Sequence, residues 1–271
     1  MNELKVRFLS GFIYTSLLIL STLDPLLLWT ILSVFGIITV YELSKLLKKE
    51  GYVYYMILFA LFSIFIYVNF LEDFINLKQL NYGFLTLTIL FSLLLMADLF
   101  LKKRLKIASI SLFLFIFYLT SGFIYLGFVS FYNHKFKPSI YLGCFIIIWV
   151  NDSFAYIVGK NMGKKKLFPS ISPKKTVEGF VGGITFALLS SFFIFYFTET
   201  LNLLQWTILS LIISVLGTIG DLIESKLKRN AQVKDSGKIM PGHGGLLDRL
   251  DSIIFAAPFI YLFLLITAYV S

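Results

Sequence analysis

The sequence has very little cysteine and very little charge. Its single cysteine, Cys144, lies in the apolar run from Tyr141 to Val150. One cysteine excludes an intrachain disulfide and a cysteine-based metal cluster, and reads as a small buried apolar residue. Asp, Glu, Lys and Arg make up only 14% of the chain, against 58% hydrophobic and 18% aromatic residues. Soluble domains sit at about 45–50% apolar, so this composition predicts a polytopic membrane protein. No small-residue cleavage pattern separates the first apolar run from the next, and no removable leader is expected. There is no convincing internal repeat, which counts against an inverted-repeat transporter. No linker or low-complexity stretch divides residues 1–271, which read as a single membrane domain.

What is present is a series of apolar segments of spanning length, each of roughly 20 residues. Nine are predicted, at about 8–23, 25–43, 52–71, 82–101, 107–131, 139–158, 177–197, 203–223 and 250–270. Asp24-Pro25 makes a tight turn between the first two, because proline fits the first turn of a helix. With the N-terminus cytoplasmic and the C-terminus outside, 21 of the 24 lysines and arginines fall on the cytoplasmic side. Only Lys78, Lys135 and Lys137 fall outside, as the positive-inside rule requires. The net charge of +9 is therefore explained by orientation and anionic lipid, without nucleic acid. The expected fold is all-α, with about nine transmembrane helices. Residues 1–138 would serve mainly for packing and lipid contact, and 139–271 would be catalytic. Asp98, near Lys102 and Lys103, reads as structural.

The longest polar stretch runs from Asp221 to Asp251 and lies between two apolar segments. Asp248 and Asp251 are three apart, so a helix starting near Gly245 puts both on one face. Asp221 ends the preceding span, and the loop returns the chain to the same membrane side, where these carboxylates can meet. Mg²⁺ favours one or two carboxylates together with water and phosphate oxygens. Intramembrane acids are costly and usually functional, although Asp221 and Asp251 could also simply cap or pair helix ends. Pro241-Gly242-His243-Gly244-Gly245 offers unobstructed amides at a helix entrance, which suits a phosphate or a plain tight turn. His243 is either a donor to a phosphate or leaving group, or structural.

A second cluster, Lys164-Lys165-Lys166 and then Ser172-Pro173-Lys174-Lys175-Thr176, precedes the seventh span. Ser172-Pro173 reads as a helix start, with Lys174 and Lys175 set against the helix dipole, as for an anionic ligand. Lys164 to Lys166 read as positive-inside charge. Asp152 interrupts an apolar helix and should face a polar cavity or partner.

These residues resemble a known family. Ser225, Lys228-Arg229, Lys234-Asp235, Gly237, Met240-Pro241-Gly242-His243-Gly244-Gly245, Asp248-Arg249 and Asp251 follow the 27-residue signature of the phosphatidate cytidylyltransferases, or CDP-diacylglycerol synthases. Upstream, Asn151-Asp152-Ser153, Ala155-Tyr156, Gly159-Lys160, Gly163-Lys164 and Ser172-Pro173-Lys174-Lys175-Thr176 with Glu178-Gly179 are similar to the same family. Ser153 and Lys160 depart from the expected threonine and arginine. The motif resemblance covers about residues 149–255.

The resemblance implies a homodimeric enzyme of the bacterial inner membrane, with its active site facing the cytoplasm. It would condense CTP with phosphatidic acid to give CDP-diacylglycerol and pyrophosphate, with Mg²⁺ required and the number of metal ions left open. Asp221 and Asp248 match the family's metal-associated aspartates, and Asp152 and Asp251 would be further ligands or lie behind them. Lys174, Lys175, Lys228, Arg229 and Arg249 would clamp phosphates. Ser225, Lys234, Gly242, Gly244 and Gly245 complete the expected phosphate site. Asp251, Arg249 and His243 join Asp221 and Asp248 as the candidate catalytic set. Rival readings are a CTP-dependent polyprenol or phytol kinase, which would release CDP, and a secondary transporter. A CDP-alcohol phosphatidyltransferase would need aspartates four apart, and these are three apart.

Overall fold

A computed structural model describes residues 3–49, 51–70, 75–100 and 107–270. It is a polytopic, almost entirely helical membrane protein. Helix α1 covers Glu3–Leu20, α2 Pro25–Leu47, α3 Tyr52–Phe70 and α4 Ile75–Phe100. Helices α5 (Ile107–Phe113) and α6 (Ser121–Phe128) are joined through a π-helical stretch, Leu114–Thr120. Then follow α7 (Pro138–Met162), α8 (Val177–Phe197), α9 (Leu203–Asn230) and α10 (Leu247–Val270). Two small antiparallel hairpins interrupt the helices, β1 (Phe131–Tyr132) with β2 (Lys135–Phe136) and β3 (Lys166–Phe168) with β4 (Ser172–Thr176).

Seven helices among the described residues are long and apolar enough to cross a membrane, and the segment Tyr52–Ile66 is a shorter apolar helix. The cluster Lys102, Lys103, Arg104 and Lys106, assigned above to a cytoplasmic loop, lies outside the described residues.

Local chemistry accounts for the helix boundaries. Asp24 accepts the amide of Leu26 at 2.7 Å and Pro25 occupies the first turn of α2, as the sequence predicts. Asn202 and Gln205 form a reciprocal capping box at the start of α9. Two boundaries differ from expectation. Helix α9 runs to Asn230 because nothing in Asp221–Asn230 breaks it, so Ser225, Lys228 and Arg229 sit on a helix and not in a loop. Ser172–Thr176 is a strand paired with β3, and Thr176 is the cap of α8, accepting the Gly179 amide at 3.1 Å. Lys174 and Lys175 therefore project from a hairpin beside α8, not from its first turn.

Helices approach closely where one carries a glycine, as expected when packing rather than water drives association. A Cβ at Gly220 of α9 would lie 2.7 Å from the Asp251 carbonyl of α10. Gly183 of α8 similarly meets the Asn151 backbone of α7. α7 packs most extensively on α8, and α9 packs on both α8 and α10. Buried Trp206, Tyr141, Phe145 and Phe255 fill the space between them. The outward side of α8 carries exposed Leu189, Phe192, Phe193 and Phe197, a surface suited to lipid. These contacts bring the polar ends of α7, α9 and α10 together with the β3–β4 hairpin.

Candidate active site

Residues far apart in sequence meet at these ends. Lys175 of β4 forms an ion pair with Asp221 of α9 at 2.6 Å, with side chains 26% and 33% exposed. Asp221 also accepts the hydroxyl of Ser225, one turn further along α9, at 3.2 Å. Asp152 of α7 and Asp251 of α10 complete an acidic group around this pair. Asp152, Asp221 and Asp251 act on one another's charge, and Lys175 acts on both Asp152 and Asp251. Asp152 is exposed on α7.

Behind this group, Lys228 pairs with the wholly buried Glu224, one turn earlier on α9, and with Asp248 of α10 at 2.5 Å. Neither Glu224 oxygen receives a well-directed hydrogen bond, so the Lys228 charge is its main compensation. Asp248 is heavily engaged. Its Oδ1 accepts Lys228, and its Oδ2 accepts the Ser236 amide at 2.9 Å, the Ser236 hydroxyl at 3.1 Å and the Gly245 amide at 2.7 Å. A carboxylate offers about four lone-pair sites; three donors crowd Oδ2, while Oδ1 takes Lys228 and keeps a second lone pair.

The Met240–Gly245 turn explains two of its glycines. Gly242 and Gly244 have φ of +76° and +92°, a conformation costly for any other residue. The turn closes through hydrogen bonds between Met240 and Gly244. Arg249 donates to the His243 carbonyl at 2.8 Å and ties the turn to α10. His243 Nδ1 is 2.7 Å from Ser10 Oγ of α1. Partial burial, and then the positive charges of Arg249 and Arg7, hold the imidazole below its ordinary pKa, so it is neutral at pH 7. Arg229 donates to the carbonyls of Ile171 and Val233, while Lys174 and Lys234 extend into solvent. Lys164 and Lys165 are held through their backbone amides by Glu178, and their side chains are exposed. Asp98 pairs with Lys226 of α9 at 2.5 Å, while Lys102 and Lys103, expected above to neutralise it, lie outside the described residues.

The structure thus brings Asp152, Asp221, Asp248, Asp251, Lys175, Lys228 and Arg249 together, and leaves Lys174, Arg229 and Lys234 at the rim. Five acids, Asp152, Asp221, Glu224, Asp248 and Asp251, interact there with three cations, Lys175, Lys228 and Arg249. Among the described residues no three His, Cys, Asp or Glu side chains form a ready-made metal cage. Mg²⁺ does not require one, because it is held by one or two carboxylates plus water and substrate phosphate. Asp221 fits that requirement by donor type and access, with Asp152 beside it, while Asp251 is buried behind them. Asp248 fits as a further ligand through Oδ1, which accepts Lys228 alone.

The sequence reading passed over four residues from elsewhere. Glu42 of α2 accepts the amides of Leu246 at 3.0 Å and Leu247 at 2.8 Å, and the Ser236 hydroxyl at 3.2 Å. Ser10 of α1 contacts His243 and donates to the Pro241 carbonyl at 3.0 Å, and Tyr14 reaches the Arg249 carbonyl. Ser236 links Glu42 to Asp248. Glu42 had a usable signal, since it is an acid within an apolar span. Ser10 and Tyr14 had none, being ordinary residues for a membrane helix.

Comparison with known proteins places the chain in a family. The model of the cytidylyltransferase family matches residues 5–267. The phosphatidate cytidylyltransferase of Bacillus subtilis (strain 168) is 52% identical over 126 residues, 46% of each chain. That of Staphylococcus aureus (strain COL) is 45% identical over 147 residues, 53% of this chain and 56% of the relative. That of Staphylococcus haemolyticus (strain JCSC1435) is 42% identical over 146 residues, with the same coverage. The chain spans about half the length of the relatives it matches. With the family model matching almost end to end, the chain belongs to the cytidylyltransferase family.

Proposed function

We propose that the protein transfers the CMP moiety of CTP to phosphatidic acid, giving CDP-diacylglycerol and pyrophosphate. The observation that carries this reading is the meeting of Asp221, Asp152 and Asp251 with Lys175, Lys228 and Arg249 at one end of the helices, in a chain of this family. The names of the similar proteins supply the lipid acceptor.

Both substrates are anionic, so the first task is to bring two phosphates together against their repulsion. Lys175 and Arg249, with Lys174 and Arg229 at the rim, supply positive charge for the nucleotide and the lipid phosphate. Arg249 can bind a phosphate through two parallel hydrogen bonds. A phosphatidate oxygen then attacks the α-phosphorus of CTP. The new P–O bond forms as the bond to the β-phosphate breaks, and pyrophosphate leaves with the bonding electrons. No covalent enzyme intermediate is needed, so alignment and charge stabilisation account for the catalysis. Asp221 and Asp248, with Asp152 and Asp251 as further ligands or behind them, would hold Mg²⁺, which would supply neutralisation of phosphate charge. His243 is neutral and held through Nδ1; in the tautomer in which Ser10 donates to Nδ1, Nε2–H is the donor for a phosphate oxygen or the leaving group. Asp248 orders Lys228 and the loop, and its Oδ1 keeps a lone pair for the metal.

The nine-span arrangement, with the N-terminus inside, puts this site on the cytoplasmic face of the bacterial inner membrane, where CTP is found. The basic residues on that side support the orientation. The family resemblance supports a homodimer.

Incubation of purified protein in detergent with α-labelled CTP, phosphatidic acid and Mg²⁺ tests the reading. Label should enter the organic phase as CDP-diacylglycerol, and EDTA should abolish the transfer. Label that stays in water as CDP would identify a lipid kinase instead.

A further inference from the structure

We propose that Glu42 of α2 is a positioning residue for this reaction, one that sets the start of α10 and with it the place of Asp248 and Lys228. The inference rests on the functional reading above.

The first amides of a helix lack partners within the helix and are normally satisfied by a nearby Ser, Thr, Asp or Asn. The residues that enter α10, Gly244-Gly245-Leu246, carry no such side chain. The cap comes from another helix, since Glu42 Oε1 accepts Leu246 N at 3.0 Å and Oε2 accepts Leu247 N at 2.8 Å. The same Oε2 accepts the Ser236 hydroxyl at 3.2 Å, and Ser236 in turn holds Asp248 Oδ2 through its amide at 2.9 Å, with its single hydroxyl proton shared between the two carboxylates. Glu42 therefore reaches Asp248 through one residue and its helix through two amides.

Two glycines are shaped to this carboxylate. A Cβ at Gly245 would stand 2.7 Å from Glu42 Oε2, and one at Gly237 would collide with Oε1. Both are signature positions that the turn's backbone does not explain, since neither has a positive φ. Glu42 is 1% exposed, within an apolar span, and its compensation comes from amides and a hydroxyl. A buried carboxylate held this way is costly unless each donor stays in place. It fixes its neighbours as firmly as they fix it.

The test compares parent, Glu42→Gln, Glu42→Asp and Ser236→Ala in detergent, with kcat, KM for CTP, binding of labelled CTP and melting temperature measured on each. Glu42→Gln keeps the size of the side chain but turns an amide NH₂ toward donors. It should lower kcat by about 10²-fold, the effect of a displacement of about 1 Å, while KM and CTP binding change by less than about three-fold. Glu42→Asp restores the charge and should recover part of that loss. Ser236→Ala removes only the bridge and should lower kcat by about 10-fold with little change in melting temperature. If Glu42→Gln fails to fold, Ser236→Ala decides. Variants within about two-fold of the parent in kcat, or losses that only track the fraction of folded protein, would overturn the proposal while leaving the function intact. An inactive, folded parent would overturn the functional reading and this inference with it.

Discussion

The two ends of the chain use acids in opposite ways. In the N-terminal half, Glu42 is buried and accepts backbone amides and one hydroxyl, fixing a loop that belongs to the other half. In the C-terminal half, Asp221 is one-third exposed and its partners are a lysine and a serine hydroxyl, both of which a ligand can displace. The difference teaches how a membrane enzyme can build a charged site without destabilising itself. Acids that order the backbone are buried and accept several protein donors, whereas Asp221 keeps exchangeable partners and access to water. Asp248 belongs with Glu42 in this respect, although it lies in the signature beside Asp221.

The largest expected effect falls on the exchangeable class. Asp221→Asn should reduce turnover by about 10³-fold or more, because charge placed for the transition state is lost. Its melting temperature should stay near that of the parent. Asp248→Asn should lose turnover and stability together, with a destabilisation of about 3–5 kcal/mol, as for one broken partner of a buried pair. Denaturation in detergent separates the two, and equal stability in both variants would erase the distinction.

Lys175→Ala comes next. It should raise KM for CTP and lower kcat/KM by about 10–100-fold, since one charged hydrogen bond contributes about 1.5–3 kcal/mol. Asp98→Asn should instead cost about 2 kcal/mol of stability and leave turnover within about two-fold, because the Asp98–Lys226 pair joins α4 to α9 away from the Asp221 site. Substantial loss of turnover in that variant, with folding preserved, would extend the functional region into the N-terminal half.

The smallest effect concerns His243. Its pKa is depressed in the folded protein, so the unfolded chain binds protons more readily below about pH 6.5. Its contribution to stability is therefore present above that pH and is lost as pH falls through the lower folded value. His243→Gln should flatten the dependence of melting temperature on pH in this window. An unchanged slope would show that another group is responsible.

The fold was largely legible because apolar runs of spanning length and capping residues such as Asp24-Pro25 act locally. The C-terminal site was legible because Asp221, Asp248, Lys228 and Arg249 lie in one recognisable stretch. Two features misled: Ser172-Pro173 resembles a helix start, and the charge after Asp221 resembles a loop. Pairing with β3 settled the first, and uninterrupted helix propensity settled the second. The contributions of Ser10, Tyr14 and Glu42 are tertiary, and join residues more than 190 positions apart. Local pattern says nothing about such meetings, although an acid inside an apolar span was a signal for Glu42.

The most direct measurement follows pyrophosphate released by purified protein supplied with CTP, phosphatidic acid and Mg²⁺, with Asp221→Asn alongside. The account predicts one pyrophosphate for each CDP-diacylglycerol formed, and almost none from the variant. Release of CDP in place of pyrophosphate, or an Asp221→Asn enzyme as fast as the parent, would contradict it.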